Sequence, residues 1–281
     1  MRVGYLGPEG TFTEQAARLL DGELVGFATV HDVVAAVDHG TVDRGVVPIE
    51  NSLEGGVNAT LDALALDFPG VEIVGESVLA VHQALIAREP LELDAILAVE
   101  SHPQGLAQCA HFLREQLPHA ELVPATSTAE AVRRAVAAPD LAVAAIAPAR
   151  AASLHGGVVL RERIEDDPDN ATRFVVVARA GAGTLAGDGP FKTSVLFAGA
   201  GDDSPGWLVR CLSEFAFRGV NLTKIESRPR RRQLGHYLFL IDFDGAAQDG
   251  PDAEAIEGLR KHCEEVRVLG TYEAAPDRPL D

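Results

Sequence analysis

The sequence has few cysteines and lacks the histidine patterns that bind metals. Its three cysteines, Cys109, Cys211 and Cys263, lie far apart, and no CxxC pair occurs. A sparse, odd-numbered set does not build a disulfide framework and is typical of proteins of the reducing cytoplasm. The nine histidines form no HxH or HExxH motif, so no metal site is predicted. We therefore expect a cytoplasmic protein without structural disulfides.

Long apolar runs and a net positive charge are also missing. The longest apolar stretch, LAVAAIA at 141–147, ends at Pro148 and is far shorter than a bilayer span. The N-terminus, MRVGYLGPEG, has no basic region followed by an apolar segment, so no signal peptide is expected. The formal net charge of −18 disfavours nucleic acids and anionic membranes as partners. A small anionic substrate stays compatible, because a local pocket can oppose the global charge.

Apolar strand-like runs alternate with helical patterns from the first residue onwards. Two helices have capping boxes, Thr11 with Glu14 and Ser127 with Glu130. The strand-like runs are RVGYLG, ELVGFA, RGVVPIE, AILAVES and LAVAAIAP. This alternation predicts α/β layers with parallel sheets, in which ligands bind beyond the carboxyl ends of the strands. Polar clusters follow three of the runs: PEGTFT, PIENSLEGG and ESHPQGLAQC.

The last third of the chain has a different pattern. The glycine-rich stretch ARAGAGTLAGDGPF at 178–191 is typical of a linker. After it, strand and helix patterns follow in the order βαββαβ within about 80 residues, which predicts a ferredoxin-like domain. In its first helix we expect Ser204 as the N-cap, Pro205 in the first turn and Gly219 just past the end.

Five motifs in this order resemble the monofunctional prephenate dehydratases: GYLGPEGTFTEQAA, VPIENSLEGG, SHPQGLAQC, TRF and ESRP. The resemblance implies an α/β fold with a two-lobed catalytic region, similar to type 2 periplasmic binding proteins, followed by a ferredoxin-like βαββαβ ACT domain. The expected boundaries are a catalytic region at 1–180, a linker at 181–190, an ACT domain at 191–275 and a tail at 276–281. Within the catalytic region, lobe one spans about 1–78 plus 160–180, and lobe two about 79–159.

The resemblance also implies a function. The expected reaction is the decarboxylating dehydration of prephenate to phenylpyruvate, water and CO2 in L-phenylalanine biosynthesis, with no cofactor. Phenylalanine would bind the ACT domain as an effector, and ACT domains would pair the chains into a homodimer or homotetramer. Two alternatives stay open: an arogenate dehydratase, and a non-catalytic sensor of aromatic amino acids.

The chemistry of the expected reaction favours a neutral site. Prephenate loses its ring hydroxyl and its ring carboxylate together, and aromatisation supplies the driving force. A strong ion pair to the ring carboxylate would stabilise the substrate more than the transition state. Threonine, serine and asparagine side chains and backbone amides therefore suit that end of the substrate. The pyruvyl carboxylate keeps its charge, so a cation is tolerated there.

The TRF motif supplies the expected catalytic residues. Thr172 resembles the catalytic threonine of the family, and we expect it to donate a hydrogen bond to the departing hydroxyl. Arg173 is expected either to bind a substrate carboxylate or to form a structural ion pair with Glu50 or with the acidic loop at 165–169. Phe174 is assigned to the substrate site, although packing in the core is its simpler interpretation.

Other residues match the family's binding pattern. In PIENSLEGG and GPEGTF these are Asn51, Ser52, Gly55 and Thr11, and in SHPQGLAQC they are Ser101 and Gln108. The phenylalanine site would use ESRP, which is Glu226, Ser227, Arg228 and Pro229, together with Gly206, Trp207 and Leu208. The tryptophan departs from the family's Gly-Ala-Leu phrase. It would either shape the pocket or cover an interface, so the effector and the sign of its effect stay open.

Overall fold

The computed structural model describes residues 1–138, 142–184, 189–199, 204–230, 235–248, 250–276 and 279–280. The predicted linker at 181–190 and the predicted tail at 276–281 lie partly outside these residues. Within them, no helix is long and apolar enough to cross a membrane.

The first lobe is built around one sheet. Its elements are β1 (Arg2–Leu6), α1 (Phe12–Ala17), β2 (Glu23–Phe27), α2 (Val30–Asp38), β3 (Arg44–Asn51), β4 (Gly55–Gly56), α3 (Asn58–Asp62) and β5 (Val71–Ala80). Thr11 and Ser127 are confirmed as N-caps, because Thr11 Oγ1 accepts from the Glu14 amide and Ser127 Oγ from the Glu130 amide. The reciprocal half of each capping box is not formed, since Glu14 accepts from the Gly10 amide and Glu130 binds Arg133. The caps fix the direction in which each helix leaves its loop.

The second lobe follows as a continuous segment. Its elements are β6 (Ala84–Ala87), β7 (Ala98–Ser101), α4 (Pro103–Gln108), α5 (Ala110–Gln116), β8 (Glu121–Pro124), α6 (Thr128–Ala137), β9 (Val143–Ala147), α7 (Arg150–His155) and β10 (Val158–Arg161). The five strands are ordered β10-β6-β9-β7-β8. Strand β6 runs antiparallel to β9 and β10.

The chain then returns to the first lobe as β11 (Ala171–Arg179), which lies between β3 and β5 and runs antiparallel to both. The described first sheet therefore has the order β2-β1-β3-β11-β5, with β4 paired to β3. Both sheets are mixed: the predicted parallel pairing is confirmed for β1 with β2 and β3 and for β7 with β9, whereas β6 and β11 run antiparallel to their neighbours. The reason is that a chain which crosses to another lobe and back enters the sheet in the opposite direction.

Two segments connect the lobes, and they lie side by side. The Val81 amide donates to the Asn170 carbonyl at 2.8 Å, and the Ile164 amide donates to the Gln83 carbonyl at 3.0 Å. Glu165 holds the same place together, because it accepts from the Gln83 amide at 2.8 Å. A pair of adjacent crossings is the usual arrangement of a hinge between two lobes.

The C-terminal domain contains β12 (Phe191–Ala198), α8 (Trp207–Ala216), β13 (Leu222–Pro229), β14 (Tyr237–Asp244), α9 (Gly250–Arg260) and β15 (Glu265–Glu273). The antiparallel order β13-β14-β12-β15 confirms the ferredoxin-like prediction. The prediction of Ser204 as the cap of α8 is wrong. Gly206 is the N-cap, with a φ of 76° that glycine adopts without strain, and no side chain caps this helix.

One face of the first sheet shares its core with the C-terminal sheet. Val175 and Val177 of β11 belong to the same buried cluster as Leu238, Leu240 and Tyr272. Burying an aliphatic or aromatic side chain of this size stabilises a fold by roughly 1.5–3 kcal/mol. The C-terminal sheet is therefore packed onto the first lobe and shares its core.

Candidate active site

A cavity of about 520 Å³ lies between the two lobes. This volume is within the range of roughly 300–1,000 Å³ that is usual for small-molecule sites. Hydroxyl and amide side chains from both lobes line it: Thr11, Thr13, Asn51, Gln83, Gln104, Gln108, Thr126, Ser127, Thr128 and Thr172. No lysine or arginine of the described residues lines it, and Glu54 is its one carboxylate. Apart from Glu54 and the ionisable His102, the lining consists of neutral groups, which agrees with the requirement derived from the chemistry.

Thr172 and Asn51 are paired across strands β11 and β3. Asn51 Nδ2 donates to Thr172 Oγ1 at 2.9 Å. Within the part of the chain that the structure describes, the threonine hydroxyl donates no hydrogen bond of its own, so its proton is available to a ligand. The Thr172 hydroxyl is thus oriented as a donor towards the cavity that it lines.

The amide of Asn51 is itself held in one orientation. Its Oδ1 accepts from the backbone amides of Leu53 at 3.0 Å and Glu54 at 3.2 Å, in the turn that follows β3. Its Nδ2 also donates to Asn170 Oδ1 at 2.9 Å. Asn51 and Asn170 are both buried. Backbone groups therefore fix Asn51, and Asn51 fixes the direction of the Thr172 hydroxyl.

Other predicted residues lie where a ligand would reach them. Thr11 lines the cavity and caps α1, and its hydroxyl donates to the Pro8 carbonyl at 3.0 Å, so its role as a substrate ligand stays a prediction. Gln108 lines it and accepts from Gln83 Nε2 at 3.1 Å. Phe174 also lines it but is only 2% exposed, so it packs in the core with one edge at the cavity.

The glycines of the turn after β3 have different roles. Gly55 lines the cavity and has a φ of 80°, a conformation that other residues adopt only under strain. Gly56 also lines it, but a Cβ at this position would lie 2.9 Å from Glu226 Oε2. The missing side chain at Gly56 therefore allows strand β13 of the C-terminal domain to approach.

Two predicted substrate ligands are not part of the cavity lining. Ser101 is fully buried, and its Oγ donates to the Ile146 carbonyl at 2.6 Å, which links β7 to β9. A Cβ on Gly105 would come within 2.6 Å of that oxygen. Ser52 Oγ accepts from the Ala171 amide at 3.0 Å and supports the turn. A direct contact of either serine with substrate is therefore not supported.

Arg173 points away from the cavity because successive side chains of a strand face opposite sides. Its Nε donates to Glu76 at 2.6 Å, and its two terminal nitrogens donate to Asp242 at 2.5 Å and to the Tyr272 hydroxyl at 2.8 Å. Glu50 lies 3.6 Å away. The structural alternative for Arg173 is supported, with Glu76 and Asp242 as the main partners, and a direct substrate contact is not.

We call these buried residues at the interface with the C-terminal sheet the Arg173 cluster: Arg173, Glu76, Asp242, Tyr272 and Ser194. Burial opposes the charge of Arg173, but Tyr272, Asp242 and Glu76 outweigh it and hold the pKa of Arg173 well above its ordinary value. Burial, with Asp242 beside it, raises the pKa of the Tyr272 hydroxyl. The cluster therefore contains a charged arginine and a protonated tyrosine.

Several residues of the site were missed from the sequence. Gln83 lies at the hinge, and Thr126 and Thr128 flank the start of α6, whose first-turn amides and dipole favour an anion. Ser127 had been assigned only as a cap. The sequence Thr-Ser-Thr between a strand and the start of a helix could have predicted this part of the site. No sequence pattern around Gln83 would have predicted its position at the cavity.

A cavity of about 280 Å³ lies in the C-terminal domain, lined by Gly206, Trp207, Leu208, Val209, Tyr237 and Phe239 among others. The Trp207 ring is 4% exposed, and its Nε1 donates to the His262 carbonyl at 2.7 Å. Trp207 therefore forms a fixed wall of this cavity.

The ESRP segment does not line the C-terminal cavity within the chain. Arg228 instead binds Asp62 of α3 through two nitrogens, at 2.8 and 2.9 Å. Ser227 and Pro229 alternate to the other face of β13 and are exposed. Within one chain, the two motifs that were predicted to share one phenylalanine site therefore lie apart, and a shared site between paired ACT domains stays a prediction.

Known proteins are similar to this chain over nearly its whole length. The prephenate dehydratase family model matches residues 3–182. The prephenate dehydratase of Amycolatopsis methanolica is 39% identical over 277 residues, which are 98% of this chain and 89% of that protein. A prephenate dehydratase from Arthrobacter aurescens, solved in complex with L-Phe, is 40% identical with a TM-score of 0.88, covering 100% of this chain and 92% of that one. A quorum-quenching acylase, GqqA, is 29% identical with a TM-score of 0.87, covering 98% and 99% of the two chains.

Proposed function

This chain belongs to the prephenate dehydratase family, and on that premise we propose how its cleft converts prephenate to phenylpyruvate, water and CO2 in L-phenylalanine biosynthesis. The observation that carries the proposal is the Asn51–Thr172 pair, which directs a neutral hydroxyl donor into a cleft without lysine or arginine among its described lining residues. We assign residues 1–180 to the catalytic region and 191–275 to the regulatory domain.

The reaction requires one coordinated movement of electrons. The bond between the ring and its carboxylate breaks, its electron pair enters the ring, and the bond from the ring to the hydroxyl oxygen breaks with its own pair. One proton joins the departing hydroxide, so the prephenate dianion and a proton give the phenylpyruvate anion, CO2 and water. Thr172 donates its hydrogen bond to the oxygen on which negative charge develops, which stabilises the transition state more than the substrate.

The neutral lining serves the other end of the same step. The ring carboxylate loses its charge as CO2 forms, so a cation bound to it would raise the barrier. Amide groups such as Gln83, Gln104 and Gln108 and the first turn of α6 bind an anion less strongly than a full positive charge. We therefore place the ring carboxylate against these groups.

The pyruvyl arm has cations within reach. A neighbouring cavity of about 370 Å³ shares Phe12 and Gln83 with the cleft and is lined by Arg150 and Arg163. The pyruvyl carboxylate stays charged throughout, so a cation there stabilises substrate and transition state alike and improves binding without slowing the chemistry. We assign this arm to the side of the cleft that faces Arg150.

The test is a comparison of substrates on the full-length chain. Prephenate and arogenate are incubated separately at neutral pH, phenylpyruvate is followed by its absorbance in alkali, and phenylalanine is followed by chromatography. Turnover of prephenate with a kcat/KM well above that of arogenate is expected. A preference for arogenate would reassign the substrate, and no product from either would refute the enzyme and favour the sensor alternative.

The similarity to an acylase does not make Thr172 an acyl-transfer nucleophile. An acyl-transfer threonine needs a base that accepts its proton, whereas the Thr172 oxygen in this structure accepts from an amide and contacts no base among the described residues. Fold similarity by itself does not transfer chemistry. Acylase turnover, measured beside the prephenate assay, would contradict this assignment.

L-Phenylalanine is proposed as the effector at the C-terminal cavity, because the Arthrobacter aurescens relative was solved with L-Phe. The apolar ring would pack on Trp207, Leu208 and Phe239.

We propose a homodimer or homotetramer formed through the C-terminal domains. Three exposed apolar residues near the cavity and along β13 support this: Val209, Ile225 and Tyr237. Light scattering with and without L-phenylalanine would contradict it by giving the mass of one chain.

A further inference from the structure

Strands β3 and β11 each present neighbouring residues to two different places. Thr172 lies at the cleft, and the next residue, Arg173, lies at the interface with the C-terminal sheet. On β3, Asn51 lies at the cleft and Glu50 points to the same interface, where Lys224 of β13 pairs with it at 2.9 Å. Both members of the Asn51–Thr172 pair therefore have an adjacent residue that is bound to the C-terminal domain.

The attachment of Arg173 is direct and buried. Asp242 of β14 and Tyr272 of β15 hold its two terminal nitrogens, and these two residues are joined through Ser194, which lies 2.5 Å from Asp242 and 2.6 Å from the Tyr272 hydroxyl. Buried charge-assisted hydrogen bonds of this kind have little freedom to stretch or rotate. Movement of these two strands therefore moves the guanidinium.

One of these strands also reaches the C-terminal cavity. Strand β14 contributes Tyr237 and Phe239 to the lining of that cavity and, three residues after Phe239, contributes Asp242 to the Arg173 cluster. Phe239 and Asp242 lie on opposite faces of the strand, since Phe239 packs against Trp207 and Asp242 against Arg173. The strand thus connects the ring-binding wall to the cluster without an intervening loop.

We propose that Arg173 is a positioning residue, through which strand β14 sets the orientation of the Thr172 hydroxyl, so that occupation of the C-terminal cavity by an aromatic amino acid changes the rate of the reaction. This rests on the proposed function of the cleft and on the proposed effector. Adjacent Cα atoms are separated by about 3.8 Å, so a shift that reaches the backbone of Arg173 also displaces the backbone of Thr172. The hydroxyl must meet the leaving oxygen in a narrow range of distance and angle.

The test separates binding of the effector from its effect. In Asp242→Asn, which keeps the shape and removes the charge, L-phenylalanine should bind with an affinity within about threefold of wild type, measured by titration calorimetry. The ratio of kcat/KM with and without saturating L-phenylalanine should move to within about twofold of one, against a coupling of roughly 5- to 150-fold that is usual for regulated enzymes.

A second measurement does not depend on turnover. Coupling of two binding sites is reciprocal, so saturating phenylpyruvate should change the affinity for L-phenylalanine in the wild type and leave it unchanged in Asp242→Asn. An inactive wild type that still shows this coupling would refute the proposed reaction and retain the positioning role. A wild type that turns over prephenate but shows neither form of coupling would refute the positioning role alone.

The matched control is Arg267→Gln. Arg267 also joins the C-terminal domain to the first lobe, by donating to the carbonyls of Leu64 and Ala65, but none of these residues neighbours the Asn51–Thr172 pair. The Arg267→Gln variant should keep the wild-type ratio of kcat/KM with and without L-phenylalanine. This result would distinguish a route through Arg173 from a general loosening of the interface.

Tyr272→Phe is the second variant of the cluster and replaces Asp242→Asn where the latter does not fold. If Asp242→Asn and Tyr272→Phe show the same ratio of kcat/KM with and without L-phenylalanine as the wild type, the proposal is overturned.

Discussion

Strand β11 separates two regions that are built from opposite chemistry. On one side, the cleft is lined by hydroxyl and amide groups, and no lysine or arginine of the described residues is part of its lining. On the other side, Arg173 and Lys192 bind the buried Glu76, and Arg173 also binds Asp242. The first region handles an anion that must lose its charge, and the second holds charges that never change. Neutral groups suit the cleft, whereas the buried charges around Arg173 require that every charge has a partner of opposite sign.

The largest expected effect is on the charged side of the strand. Glu76→Ala removes a fully buried carboxylate that accepts from Arg173, Lys192 and the Ala275 amide. Breaking a buried ion pair costs about 3–5 kcal/mol, so the free energy of unfolding in urea should fall by that amount. The control is Glu130→Gln, which breaks an exposed pair with Arg133 and should leave the stability close to wild type. Equal losses in both variants would refute the distinction.

The next effect is on the neutral side. Thr172→Ala removes the donor, and kcat should fall roughly 10²-fold or more, because groups that assist proton transfer contribute about 10²- to 10⁴-fold. Thr172→Ser keeps the hydroxyl and should retain most of the activity. Thermal unfolding of both variants should match the wild type. A kcat for Thr172→Ala close to that of Thr172→Ser would remove the hydroxyl from the mechanism.

Asn51 should act through Thr172. Asn51→Asp exchanges the amide donor for an acceptor and should lower kcat about 10-fold, equivalent to about 1.4 kcal/mol of transition-state stabilisation. The decisive measurement is the double variant with Thr172→Ala. Residues that act as a unit are not additive, so the double variant should be no slower than Thr172→Ala alone. Additive losses would give Asn51 a separate role.

A cation at the rim of the cleft should affect binding alone. Arg150→Gln should raise KM about 5-fold and leave kcat unchanged, since the pyruvyl carboxylate is bound equally in the substrate and in the transition state. Arg133→Gln, an exposed arginine on α6, should change neither constant. A fall in kcat for Arg150→Gln would place this arginine near the reacting end of the substrate.

The smallest effect concerns alkaline stability. Burial raises the pKa of Tyr272 above its ordinary value of 10.0, so the folded state disfavours the ionised phenol. Its contribution is complete below pH 10 and is lost as the pH rises towards the folded pKa, by about 0.8 kcal/mol at pH 10.5. Between pH 9 and 10.5 the wild type should lose that much more stability than Tyr272→Phe in urea. Parallel losses would show that Tyr272 is not the group responsible.

Local signals predicted much of the fold. The caps at Thr11 and Ser127, the strand after the TRF motif and the βαββαβ order of the last third of the chain all follow from patterns within a few residues. The direction of β11 did not, because it depends on the path of the chain through another lobe. The N-cap of α8 was missed because a backbone turn at Gly206 replaced the serine side chain.

The site was predicted unevenly for the same reason. The motifs identified Thr172 and Asn51, which now form one hydrogen-bonded pair. They could not identify the partners of Arg173, since Asp242 and Tyr272 lie 69 and 99 residues away in sequence. Ser101 and Ser52 were assigned to substrate binding because they match the family's binding pattern. Only the structure shows that their hydroxyls bind backbone groups instead.

The late position of β11 in the chain has a consequence for synthesis and folding. The first sheet receives β11, the sixth and last of its described strands, only after all of the second lobe has been made, and Thr172 and Asn51 are 121 residues apart. Contacts this distant in sequence form slowly because a long loop must close first. The second lobe, which is one uninterrupted segment, is therefore expected to fold first on the ribosome. Amide protection during refolding should appear in β6–β9 before it appears in β3, and the catalytic pair is assembled last.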